Sequence, residues 1–120
     1  MITLDEILRG QPYPLNLKAN LDDLLLRLNA FRALYGRPMI CTSGYRTETN
    51  NRKVGGAKNS AHLYGQAADF LDRDQSLAKW IMQDLTVLDQ VDLWMEDPSR
   101  SVGWIHLQSR PVQSGRVFLP

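Results

Sequence analysis

Two short stretches of this chain, Ala67 to Leu71 and Gly103 to Gln108, alternate in character with a period of two, and that alternation constrains the fold more than any other feature. In the first, Ala68 and Phe70 fall on one side and Ala67, Asp69 and Leu71 on the other. In the second, Ile105 and Leu107 oppose Trp104, His106 and Gln108. A period of two marks a strand buried on one face only. Such strands need helices over the apolar face, and they leave Asp69 and His106 pointing away from the core.

The helices are also legible. Thr3-Leu4-Asp5-Glu6 reads as a capping box opening a short helix that Gly10 ends. After a linker containing Pro12 and Pro14, Asn20 is placed to cap a longer helix. Its Leu21, Leu24, Leu25, Leu28, Phe31 and Leu34 recur at the spacing of one helical face, and Gly36-Arg37-Pro38 stops it. Met39 to Ser43 is a strand candidate. The polar stretch from Ser43 to Ser60 reads as a long loop, of the kind that often carries function. Asp74 or Ser76 then caps a helix running to about Leu85. Val91, Leu93 and Met95 alternate with Asp92, Trp94 and Glu96 as another half-buried strand, and Val117-Phe118-Leu119 suits an edge strand. Helices that precede and interrupt consecutive strands predict an α+β fold with a small, mainly antiparallel sheet.

The length of 120 residues suits one domain spanning 1–120, with a core large enough to fold without disulfides. The one cysteine, Cys41, sits in an apolar stretch and reads as a buried hydrophobe rather than a catalytic thiol. A formal net charge of +1 with scattered basic residues argues against nucleic acid as a partner. With Asp5, Glu6 and Arg9 among its apolar residues, Met1–Gly10 does not read as a signal peptide, and no apolar run approaches the roughly 20 residues of a membrane span. Synthesis in the cytoplasm and a monomeric state are the expectations.

There are only two histidines, His62 and His106. His62 and Asp69 cannot share a metal from one helix, because seven residues of helix separate them by about 10 Å, against ligand bonds of roughly 2 Å. Gly65 between them permits a sharp turn that folds His62 back over the start of the Asp69 strand. His106, on the polar side of its own strand, can join them from an adjacent strand. Two imidazoles and a carboxylate suit one zinc ion and leave its fourth position for water, which is the arrangement of a hydrolytic centre.

Ser60-Ala61-His62-Leu63-Tyr64-Gly65-Gln66-Ala67-Ala68-Asp69 resembles the Ser-x-His-x-x-Gly-x-Ala-x-Asp signature of the zinc D-Ala-D-Ala carboxypeptidases. Trp104-Ile105-His106 resembles their second signature, Trp-x-His. Ser43-Gly44-Tyr45-Arg46 is similar to the segment that precedes the first histidine in these enzymes, and Val54-Gly55-Gly56-Ala57 and Asn59 fit the stretch between. The likeness runs from about Asn20 to Leu107. It implies the zinc fold shared with lysostaphin-type enzymes and the Hedgehog signalling domain, one zinc held by His62, Asp69 and His106, and peptidoglycan peptides as substrate. The family also includes phage endolysins that cleave L-alanyl-D-glutamate bonds. Gly103 to Pro120 resembles the phage-type members, which implies a phage or prophage origin and action at the cell wall or periplasm. D-Ala-D-Ala, L-Ala-D-Glu and cross-bridge bonds all remain open as targets, because specificity lies in the loops around the groove.

The pattern departs from the family at Gly103, where members carry an acidic base three residues before the last histidine. Glu96 is the substitute candidate, since alternation sets it opposite Val91, Leu93 and Met95. The alternative for Glu96 is a solvated or turn-capping role beside Asp97-Pro98. Arg46 offers a rigid fork of donors to a carboxylate or an oxyanion, the other reading being a pair with Glu48 or Asp69. Ser60, Tyr45, Tyr64 and Trp104 are the substrate-binding candidates, with core packing the competing role for the aromatic residues. A zinc-containing binding or structural module without catalysis is the alternative function.

Overall fold

Leu21, Leu24, Leu28 and Phe31 lie one helical turn apart, and burying that stripe requires a partner surface. In the computed structural model, which describes all 120 residues, the stripe lies on helix α2 (Lys18–Tyr35) and is fully buried. The other helices are α1 (Leu4–Leu8), α3 (Glu48–Lys53), α4 (Ser76–Gln83) and α5 (Thr86–Val91). The strands are β1 (Cys41–Ser43), β2 (Ala67–Leu71), β3 (Trp94–Glu96), β4 (Trp104–Gln108) and β5 (Val117–Phe118). They form one sheet in the order β1-β2-β4-β3-β5, antiparallel throughout except for the parallel pair β3 and β5. The fold is α+β, as the alternation predicts.

The apolar side chains Ala68, Phe70, Ile105 and Leu107 share one continuous core cluster with the α2 stripe and with Leu77, Ile81, Val87 and Leu88 from α4 and α5. Trp80 on α4 packs edge-on to Phe31, with ring centroids 5.7 Å apart. Burial of such side chains contributes roughly 1.5–3 kcal/mol each. The helices therefore cover one face of the sheet, and the polar positions of β2 and β4 lie on the other. No helix is long and apolar enough to cross a membrane.

The capping box of α1 forms as expected, with Thr3 Oγ1 accepting from the Glu6 N–H and Glu6 accepting from the Thr3 N–H. Gly36, left-handed at φ 74°, ends α2. Four expectations need correction. Asn20 does not cap α2, which starts at Lys18 behind a 3₁₀ turn, Leu15–Leu17; its amide donates to the Tyr64 carbonyl instead. The Ser43–Ser60 loop contains α3, capped by Thr47 Oγ1 accepting from the Asn50 N–H. That helix buries only Asn51, so it has no apolar stripe to reveal it. The helix after β2 stops at Gln83 rather than Leu85, and a second helix, α5, follows. Val91 ends α5 instead of opening a strand, because Val87, Leu88 and Val91 follow helical spacing and Asp92 breaks off in a left-handed turn at φ 59°. Strand β3 keeps only Trp94 to Glu96. The side chain that caps α4 most fully is one no local signal singled out: the buried carboxylate of Asp72 accepts from the N–H groups of both Leu77 and Ala78.

Candidate metal centre

Three segments meet on the polar side of the sheet, and each is held there by backbone contacts. Ser43-Gly44-Tyr45-Arg46 leaves the end of β1 and runs against α1. At Gly44 any Cβ would overlap the backbone of Ile7, so only glycine permits this approach. The Tyr45 N–H donates to the Ile7 carbonyl at 2.9 Å, and the Arg46 N–H donates to the His62 carbonyl at 3.1 Å. His62 itself lies in a 3₁₀ turn, Ala61–Tyr64, whose first N–H groups are met by Ser60, with its Oγ 3.2 Å from the His62 nitrogen. Gly65, left-handed at φ 68°, closes the turn and delivers the chain into β2. This is the fold-back that the His62-to-Asp69 spacing requires.

Asp69 on β2 and His106 on β4 stand directly opposite each other in the antiparallel register. His106 Nδ1 lies 2.9 Å from Asp69 Oδ1, and His62 Nε2 lies 3.2 Å from the same oxygen. All three side chains are buried, and their ligand atoms lie within 4.8 Å of one another. The outer nitrogen of each ring is engaged elsewhere. His62 Nδ1 donates to the Gly44 carbonyl at 2.7 Å, and His106 Nε2 faces Gln108 Oε1 at 2.7 Å. A carbonyl only accepts, so both outer nitrogens carry a proton; the inner nitrogens face Asp69 Oδ1, donating to it in the metal-free protein, and are the nitrogens that would turn lone pairs to a common ion.

This donor set fits zinc. Bonds of about 2.0–2.1 Å in a tetrahedron put neighbouring ligand atoms roughly 3.3 Å apart, close to the 2.9 and 3.2 Å that separate the two imidazoles from Asp69 Oδ1, and histidine ligands characteristically donate their other N–H to a carbonyl or carboxylate. His62, Asp69 and His106 are the residues that would hold the ion.

Arg46 is brought to the same place. Its Nη2 lies 3.4 Å from Asp69 Oδ2, Nη1 3.3 Å from Asn51 Oδ1, and Nε 3.1 Å from Ser43 Oγ. The pair with Asp69 is thus present, holding one carboxylate oxygen while the other faces the imidazoles. Three of the five guanidinium protons are used in this way.

Burial alone would raise the Asp69 pKa, but hydrogen bonds from His106 and His62 overcome it and hold the carboxyl at about 2, below its ordinary 3.8. Burial alone would lower the His106 pKa, and the hydrogen bond and charge of Asp69 raise it instead. In metal-free protein, ionised Asp69 therefore stabilises the fold above about pH 3.8, and that contribution disappears as pH falls toward 2. A shift of this size corresponds to roughly 2 kcal/mol. Chelator-treated wild type should lose stability between pH 4 and 2 more steeply than Asp69→Asn in urea titrations. Parallel curves for the two proteins would remove this role for the carboxylate.

Glu96 ends the paired part of β3. Trp94 pairs with Gln108 and Met95 with Leu107, so the same register carries Glu96 toward His106. Its carboxyl is pushed up from the usual range by burial, and the charges of His106, Asp69 and His62 all act on it. Asp97, not Glu96, caps the following turn by accepting from the Ser99 N–H.

The other candidates separate. Tyr45 is buried in the core cluster, with an edge in the floor of a recess shared with Arg46 and Tyr64, so it is not an exposed groove wall. Ser60 is occupied with the His62 backbone. Tyr64 is exposed and lies under the Arg110 guanidinium, 5.1 Å from its ring centroid. Trp104 is half-buried at the start of β4. Cys41 is buried, and desolvation pushes its thiol up to about 11, which leaves no thiolate at neutral pH.

Two neighbours of His106 were not among the candidates. Gln108 shares its strand face at a spacing of two, so the alternation itself pointed to it. Phe118 meets the His106 ring edge-on at 6.1 Å, brought there by the pairing of β5 with β3, and no local pattern signals that contact.

The zinc D-Ala-D-Ala carboxypeptidase of Streptomyces albus G is 43% identical to this chain over 53 residues, which make up 43% of the chain and 21% of the relative's own length. The chain therefore matches only about a fifth of that protein. The sequence model of the family described as Peptidase M15 matches residues 9–108, a span that contains His62, Asp69, Glu96 and His106. With most of its length matched, and the candidate metal ligands assembled within the match, this chain belongs to the Peptidase M15 family.

Proposed function

We propose that the chain is a zinc-dependent peptidase that hydrolyses peptide bonds of bacterial peptidoglycan. The observation that carries this reading is the convergence of His62 Nε2, Asp69 Oδ1 and His106 Nδ1 on one point, three protein ligands that leave a tetrahedral ion one open position. Zinc bound there supplies a water of near-neutral pKa and polarises the scissile carbonyl. Glu96 accepts a proton from the attacking water and returns it to the leaving amine; its elevated pKa suits both halves of that task. The two guanidinium protons of Arg46 not used internally face a substrate carboxylate or the developing oxyanion.

Asn51, which fixes Arg46, also lines a cleft of about 750 Å³ with Glu48, Lys58, Leu63 and Tyr64. Its size suits a short peptide, and Lys58 and Arg52 on its wall suit one with acidic groups. Such a substrate is consistent with stem or cross-linking peptides, and with action at the cell wall or periplasm. The name of the Streptomyces relative supports the same substrate class.

Gly103, in place of the acidic residue expected three positions before His106, favours a second reading: a zinc-containing module that binds cell-wall peptides without cutting them. Digestion of purified peptidoglycan by the zinc-loaded protein, with mass spectrometry of the soluble products, separates the two. New peptide termini are expected, and their identity names the bond cut. Retention on peptidoglycan without new termini would leave only the binding module.

A further inference from the structure

We propose that Gln108 is a positioning residue that fixes the protonated nitrogen of His106 and so dictates that this histidine meets the metal through Nδ1. The inference rests on the metal centre described above and assigns a role to a residue outside the ligand set.

The side chain of Gln108 is buried to 6% exposure and makes two hydrogen bonds that orient it without ambiguity. Its amide nitrogen donates to the Arg110 carbonyl at 2.9 Å. Because a carbonyl only accepts, that bond commits the nitrogen end of the amide, and Oε1 is the atom left facing His106 Nε2 at 2.7 Å. Oε1 in turn only accepts, so Nε2 carries a proton, and Nδ1, which donates to Asp69 in the metal-free protein, is the nitrogen left to exchange its proton for the metal. The backbone under Gln108 is held from both sides, since it pairs with Ala67 on β2 and Trp94 on β3.

The two histidines are thus oriented by different means. His62 is set by the main-chain carbonyl of Gly44, which no side-chain substitution removes. His106 is set by a side chain, which makes its orientation accessible to mutation. Without an acceptor at position 108, Nε2–H loses its partner, the ring can shed that proton instead of the one on Nδ1, and a proton kept on Nδ1 then blocks the metal position. Partners of this kind are worth about 10- to 100-fold in metal affinity.

The test measures zinc affinity by competition with a chromogenic chelator for wild type, Gln108→Met and Gln108→Glu, together with ¹⁵N chemical shifts of the histidine rings in the zinc-loaded proteins. Gln108→Met keeps the length of the side chain and removes the acceptor, and it should bind zinc about 10- to 100-fold more weakly. Gln108→Glu restores an acceptor with a negative charge and should bind at least as tightly as wild type. The wild-type spectrum should show His106 protonated at Nε2 and metal-bound at Nδ1. Unchanged affinity in Gln108→Met, or a wild-type His106 bound through Nε2, would overturn the assignment while the metal centre stands. Wild type that binds no zinc would overturn both. The ring spectrum of wild type decides the question even where a variant does not fold.

Discussion

Replacing His106 with alanine is expected to abolish the thermal stabilisation that zinc confers on the folded chain. A ligand present at a thousand times its Kd stabilises the state it binds by about 4 kcal/mol. For a chain of 120 residues that corresponds to a rise in Tm of roughly 15 °C. His106 supplies one of three converging ligand atoms, and its strand partner Asp69 supplies the next. Alanine leaves two ligands, and the loss should exceed the roughly 100-fold upper figure for an outer hydrogen-bonding partner. Differential scanning fluorimetry with and without zinc reads the effect, and circular dichroism of the metal-free variant checks that the fold survives. A zinc-dependent shift equal to wild type in His106→Ala would dismiss the proposed centre.

Glu96→Gln should give the complementary result. The substitution preserves shape and removes only the ability to take up a proton, so the zinc-dependent shift in Tm should match wild type. Turnover of peptidoglycan peptides should fall by about 10²- to 10⁴-fold, the usual worth of a positioned general base. The loss should appear in kcat rather than KM, because the register of β3 carries Glu96 toward His106 and Glu96 is absent from the lining of the cleft. Activity within tenfold of wild type would reassign the base, and loss of the zinc shift would make Glu96 a ligand.

The parts of this molecule legible in its sequence are those governed by short-range periodicity. Strands β2 and β4 and the stripe of α2 declare themselves because their burial patterns repeat within five to fifteen residues. The same alternation that marks β2 and β4 as one-sided strands puts Asp69 and His106 on the uncovered face. Helix α3 could not be seen, since it is stabilised by the Thr47 cap and the burial of Asn51 rather than by an apolar face. The end of α5 is hidden in the sequence because Val91, Leu93 and Met95 satisfy a strand pattern that only the left-handed turn at Asp92 interrupts. Gln108 lay on the face already identified, whereas Phe118 arrives through the parallel pairing of β5 with β3 and follows from no local pattern. Arg46 stood out as a cation near the site, but its grip on Asp69, Asn51 and Ser43 depends on three segments that meet only in the folded chain.

The direct opposition of Asp69 and His106 across β2 and β4 also bears on how the sheet is assembled. A slip of one residue in either strand would turn Asp69 or His106 into the apolar interior and Phe70 or Ile105 out of it. A slip of two would restore the faces but carry the ligands past each other by about 7 Å, too far for a common ion. Of these alignments only the native one brings Asp69 and His106 close enough for a common ion, so zinc binding at the proposed centre would favour that register over its near neighbours.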